Sequence, residues 1–166
     1  RLGIKIHRDL STIVNEINRE LTTILGDITL FLTLAAFRIS GDAEQPQLEH
    51  VNCGHCPTLL TAKGASRSEE ILPSGPPLGL FPEITYTSDI RTLPPETGIL
   101  IVSDGCYEWK ENDTLFGWDA FQALATSRIY ERPDQFWEFL QQKIHGQNSR
   151  AESREDDETL IFWRPV

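Results

Sequence analysis

The chain predicts an α+β domain in which antiparallel strands form a layered sheet and the helices stand apart from it. Three observations carry that prediction. An amphipathic helical period opens the sequence and two more lie near its end. Between them, short apolar or alternating runs follow one another, punctuated by Gly- and Pro-rich turns. A last apolar run closes the chain.

Residues 9–25, DLSTIVNEINRELTTIL, place Leu10, Ile13, Val14, Ile17, Leu21, Ile24 and Leu25 three and four apart, with Asp9 or Ser11 as N-cap and Gly26 as terminator. TLFLTLAAFRIS (29–40) is dense in apolar and β-branched residues and predicts a mostly buried strand, closed by Gly41-Asp42. LEHVN and TLLTA flank the turn Cys53-Gly54-His55-Cys56-Pro57 and predict two strands of a hairpin or meander. After the loop SGPPLGLFP, the run ITYTSDIRTL (84–93) alternates as a strand, PPETG turns the chain, and ILIVSDG is an apolar strand ending on polar residues. Residues 118–127 and 133–144 have helical periodicity, with Pro133 in the first turn of the second. HGQNSRAESREDDE reads as a polar loop and TLIFW as the closing strand. No repeat or linker divides residues 1–166, so a single domain is expected.

At 166 residues and 39% hydrophobic content the chain can bury a real core without staples. A net charge of -10 speaks against nucleic-acid binding, which needs clustered Lys and Arg, and favours a cation or a protein partner. No apolar run reaches the roughly eighteen residues of a membrane span. No basic-then-apolar leader opens the sequence, and three cysteines suit reduced thiols, which together predict a cytoplasmic protein. The sequence contains no methionine and opens on Arg1, which predicts that residues precede it in the complete protein.

Two places could carry chemistry. Cys53-Gly54-His55-Cys56 spells a dithiol centre, but thiol exchange needs a depressed cysteine pKa, and neither a helix N-terminus nor a βαβ context surrounds it. Zinc on Cys53, His55, Cys56 and the remote Cys106 lacks a second paired ligand set. The preferred reading is a tight turn that Gly54 permits and that Asn52 and His55 hydrogen-bond. The other place is acidic. Asp104, followed by Gly105, ends one apolar strand, and Asp156 and Asp157 precede another. If those strands are neighbours, their carboxylates converge and suit Mg²⁺ or Mn²⁺. The residues alone leave this open against a turn aspartate and a capping pair in an acidic protein.

Taken in order, Asn52-Cys53-Gly54-His55-Cys56-Pro57, Gly75-Pro76-Pro77-Leu78-Gly79-Leu80-Phe81-Pro82, Ser103-Asp104-Gly105 with Glu108, and Asp156-Asp157-Glu158-Thr159 resemble motifs of one family. It comprises the stage II sporulation protein E-like and sigma-factor regulatory serine phosphatases, within the metal-dependent type 2C (PPM-type) protein phosphatases. FGWDAF and INREL resemble helical motifs of the same family. The resemblance implies a four-layer αββα sandwich of antiparallel sheets and a binuclear Mn²⁺ or Mg²⁺ centre. Asp104 and Asp156 would be ligands, with Asp157 a ligand or an orienting group. It further implies a metal-activated water in place of a protein nucleophile, and His55 as a structural member of its turn. The implied substrate is a phosphorylated regulatory protein of the anti-sigma-factor-antagonist type.

One departure is large. The family's bridging aspartate, in a D-x-x-G-H-G context, is not found in this sequence; Asp9 reads as a helix cap and Asp27 as a turn residue. The expectation is an active phosphatase whose N-terminal strands lie before Arg1. The alternative is a catalytically degenerate interaction module, a homodimer through the helix at 9–25.

Overall fold

The structure is a computed structural model that describes residues 9–25, 30–42, 44–111, 114–130, 132–147 and 157–165. In chain order the elements are α1 (Leu10–Leu25), β1 (Leu34–Ser40), β2 (Gln47–Cys53), β3 (Thr58–Ala62), β4 (Glu69–Ile71), β5 (Asp89–Thr92) and β6 (Thr97–Val102). A 3₁₀ turn (Asp104–Cys106) follows, then β7 (Lys110–Glu111), β8 (Thr114–Leu115), α2 (Gly117–Arg128), α3 (Pro133–Gln147) and β9 (Leu160–Trp163). Every strand pair within the sheets is antiparallel, which matches the α+β class expected. The chain divides into two compact units, Arg1–Pro57 with Leu72–Pro95, and Thr58–Ile71 with Glu96–Val166.

In the first unit α1 starts at Asp9, whose Oδ1 accepts the Thr12 N–H at 2.7 Å. Hydrogen bonds from Ser11 and Thr12 hold this exposed carboxyl down to about 2. The Leu10 N–H, another amide with no partner inside the helix, is taken by Glu49 Oε1 on β2 at 2.7 Å. Glu49 is itself buried and pairs with Arg38 on β1. Leu10, Val14, Ile17 and Leu21 pack against Val51, Cys53, Leu78 and Tyr86. Ile24 belongs to the same apolar period yet is exposed.

The first sheet has the order β1-β2-β5. Its central strand is buried from Leu48 to Cys53. The strand expected over 29–40 is shorter and less buried than predicted: Leu30, Phe31 and Leu32 lie outside β1 and are exposed, and Leu32 only exchanges backbone bonds with Leu78. The strand expected over 84–93 shrinks to β5. A side chain is the reason, because Asn15 of α1 accepts the Tyr86 N–H and donates to the Tyr86 carbonyl, both at 2.8 Å. That peptide is satisfied without a ladder.

The second unit contains the sheet β4-β3-β6-β9 and the small ribbon β7-β8. β2 and β3 therefore do not form the hairpin expected from their flanking positions; the turn between them sends the chain from one sheet to another. β6 is buried throughout, as its unbroken apolar run requires. Gly98 on β6 lies under the Phe162 ring of β9, where a Cβ would come within 2.6 Å of ring carbons. Leu59, Leu100 and Val102 meet Phe121 and Ala125 of α2, Ile129 just past it, and Phe136, Leu140 and Ile144 of α3 in one core. A hydroxyl chain, Thr61 to Ser68 to Thr126, ties β3 to α2 with 2.6 Å contacts. Among the described residues no helix is long and apolar enough to cross a membrane.

Candidate functional site

The Asn52–Pro57 turn is built by its own residues. Asn52 Oδ1 accepts the His55 N–H at 2.9 Å and its Nδ2 donates to the Cys56 carbonyl at 3.0 Å. Gly54 sits at φ 64°, and a Cβ there would fall within 2.5 Å of the Pro77 ring, so only glycine fits. His55 Nδ1 lies 3.1 Å from Thr33 Oγ1. Cys53 is fully buried, and burial pushes its thiol up to about 12, the opposite of what exchange chemistry needs. Among the described residues, which include all three cysteines and His55, no group of three or more His, Cys, Asp or Glu side chains is placed to hold an ion. Both polar ends of the Asn52 amide are used within the turn itself, as the turn reading expects.

The acidic place depends on long-range pairing. β6 and β9 are neighbours, with Ile99 opposite Trp163 and Val102 opposite Leu160. Past the last ladder pair, Ser103 keeps extended backbone (φ -81°, ψ 162°), and its N–H donates to the Thr159 carbonyl at 3.0 Å. Its hydroxyl donates to the Asp157 carbonyl at 2.9 Å and accepts the Thr159 N–H at 2.8 Å. The Cys106 thiol, also buried, donates to the Thr159 carbonyl at 3.3 Å. Asp104, half-buried, opens the 3₁₀ turn: its carbonyl accepts the Tyr107 and Glu108 N–H groups, and its Oδ1 accepts the Gly105 N–H at 3.1 Å.

The loops after β6 and before β9 thus meet, and they carry Asp104 and the exposed Asp157 at the same end of the strand pair. Asp156 lies outside the described residues. Glu158, next in sequence, has its carboxylate 3.2 Å from His145 Nε2 on α3, which ties the same run to a helix. Gly105, expected to let the chain turn sharply, lies in the 3₁₀ turn and not in the left-handed region. The donors are carboxylate oxygens without sulfur or imidazole, a chemistry that fits Mg²⁺ or Mn²⁺. The described residues offer this pair of strand-end carboxylates and no third acidic partner.

Sequence reasoning named Ser103 and Thr159 only as motif members and Cys106 only as a zinc candidate, and missed the bonds among them and the Glu158–His145 contact. A serine before an aspartate gives no sign of which distant amide its hydroxyl will meet.

The stage II sporulation protein E (SpoIIE) family description matches residues 3–165. The chain belongs to the SpoIIE family. No curated protein sequence matches it. Among solved structures, the SiaA-PP2C domain of Pseudomonas aeruginosa superposes with a TM-score of 0.72 at 16% identity, covering 95% of this chain and 61% of that one. The RsbU and RsbW domains of a Mycobacterium tuberculosis protein give 0.66 at 21% identity, over 96% of this chain and 44% of that one. The phosphatase domain of the cell fate determinant SpoIIE from Bacillus subtilis, presoaked with Mn, gives 0.56 at 17% identity, over 96% and 68%. At such identities the likeness is one of fold: the antiparallel α+β fold of this SpoIIE-family chain is that of PP2C-type serine phosphatase domains. The chain spans about three-fifths of the SiaA domain and less than half of the mycobacterial one.

Proposed function

We propose that this chain is part of a metal-dependent serine/threonine phosphatase acting on a phosphorylated regulatory protein of the anti-sigma-factor-antagonist type in the bacterial cytoplasm. The observation that carries the reading is the junction of β6 and β9, where Ser103 ties the Asp157 run beside Asp104. Family membership supports the reaction class, and the RsbU and SpoIIE likenesses support the kind of substrate. We also propose that residues 1–166 fall within one phosphatase domain.

Asp104 and Asp156 would hold the Mn²⁺ or Mg²⁺ ions, with Asp157 ligating or orienting beside them. When bound, such ions lower the pKa of a water and neutralise charge on the phosphoryl group. The chain's own part is to present carboxylates from two backbone-anchored runs and to keep them together against their mutual repulsion. The net reaction is cleavage of the seryl P–O bond by water, leaving serine and inorganic phosphate. No side chain is assigned as nucleophile, and His55 is assigned to its turn.

The test is release of phosphate from a phosphoserine anti-sigma-factor antagonist by the protein with and without Mn²⁺. Activity that requires Mn²⁺ and drops at least a hundredfold in Asp104→Asn is expected; unchanged turnover in chelator rejects the proposal. A second reading is a non-catalytic partner-binding module. It predicts tight binding of the phosphoprotein with no turnover at saturating Mn²⁺.

A further inference from the structure

We infer that Ser103 is a positioning residue for the metal centre: its hydroxyl sets the spacing of the two aspartate-bearing runs. This rests on the phosphatase reading above. The β6–β9 ladder ends at Val102 and Leu160, one residue short of Ser103 and three short of Asp157. Beyond that point two backbone strands diverge unless something else joins them. Ser103 joins them twice, by its own N–H to the Thr159 carbonyl and by a hydroxyl that serves as donor to Asp157 O and acceptor from Thr159 N. A hydroxyl has one proton and two lone pairs, so it can fill both roles at once, which no apolar side chain can.

The electrostatics explain why such a neutral clamp matters. Asp104 sits one residue after the clamp on one run and Asp157 sits on the other, so like charges push the runs apart whenever no cation lies between them. A titratable clamp would itself be perturbed by those charges; a serine hydroxyl is not. Removing it takes the hydroxyl bonds from the Thr159 N–H and the Asp157 carbonyl and loosens the acidic run, which keeps among its anchors the Ser103 N–H, the Cys106 thiol on the Thr159 carbonyl and the Glu158–His145 contact. Contacts that orient ligands from behind typically change metal affinity by about 10–100-fold.

The experiment is a Mn²⁺ titration followed by electron paramagnetic resonance of the free ion, on wild type, Ser103→Ala and Ser103→Thr. Urea unfolding in chelator accompanies it. Ser103→Ala should weaken Mn²⁺ binding about tenfold, whereas Ser103→Thr, which keeps the hydroxyl on extended backbone suited to a β-branched residue, should bind within about twofold of wild type. All three should be folded in chelator, which separates positioning from simple stability. If Ser103→Ala does not fold, Ser103→Cys carries the test, with its weaker donor and acceptor giving an intermediate loss. Equal Mn²⁺ affinity in wild type and the folded alanine or cysteine variant overturns the inference and leaves the phosphatase reading intact. A wild type that takes up no Mn²⁺ overturns both.

Discussion

The turn at Asn52–Pro57 and the junction at Ser103–Thr159 do the same job by opposite means. In each, one polar side chain at the end of a buried strand, Asn52 next to last in β2 and Ser103 just past β6, fixes where the chain goes next. Asn52 does so locally, bonding residues three and four ahead of it, and needs a left-handed glycine against a proline ring. Ser103 does so across more than fifty residues of sequence, with ordinary backbone angles and a hydroxyl. The local device is fixed by its own residues, with two Asn52 side-chain bonds and a bend that only glycine fits. The distant one depends on strand pairing being correct first.

The comparison predicts unequal sensitivity to glycine replacement. Gly54→Ala must hold a Cβ at positive φ and displace Pro77, costing about 3 kcal/mol or more, whereas Gly105→Ala should cost under about 1 kcal/mol because no left-handed backbone is involved. Urea midpoints measure both, and a Gly54→Ala variant as stable as wild type would break the contrast.

Acid should sharpen it next. His50, on the strand leading into the turn, is buried opposite Asp89, and its pKa is lowered from the ordinary 6.5 to about 4, chiefly by burial, with Asp89 opposing and Arg91 adding to the lowering. The folded form binds a proton less readily than the unfolded chain, so stability is full above about pH 6.5 and is lost as pH falls toward 4. A loss on the order of 2 kcal/mol is expected across that window, and His50→Gln should flatten it; a wild-type curve that is already flat removes His50 from the account.

The smallest effect concerns sulfur. With its thiol raised to about 12, Cys53 should remain unmodified by iodoacetamide at pH 8 in the native protein and react only after unfolding. Peptide mapping by mass spectrometry checks this. Rapid native alkylation at Cys53 would reopen thiol chemistry at the turn.

What the sequence disclosed follows the same division between near and far. Helix α1 with its Asp9 cap, the buried run of β6, the closing strand and the Asn52–Gly54–His55 turn were all legible, because each is decided by residues within a few positions. The hairpin expected of β2 and β3 was wrong because flanking a turn does not decide which sheet a strand joins. β4, β7 and β8 went unpredicted, being two or three residues long and too short to show a period. The retreat of the strand at 84–88 could not be foreseen, since its amide is claimed by an asparagine seventy-one residues away. At the candidate site each aspartate was visible at its own strand end; the hydroxyl that brings the runs together was not.

Asn15 and Asn18, one turn apart on α1, together grip Tyr86, Gly79 and Phe81, each amide side chain giving one bond as donor and one as acceptor to the proline-rich stretch. Helix and stretch are thereby pinned like two plates held by paired rivets. Sliding α1 along its axis without moving residues 79–86 would break all four of those bonds at once, so helix and stretch are coupled.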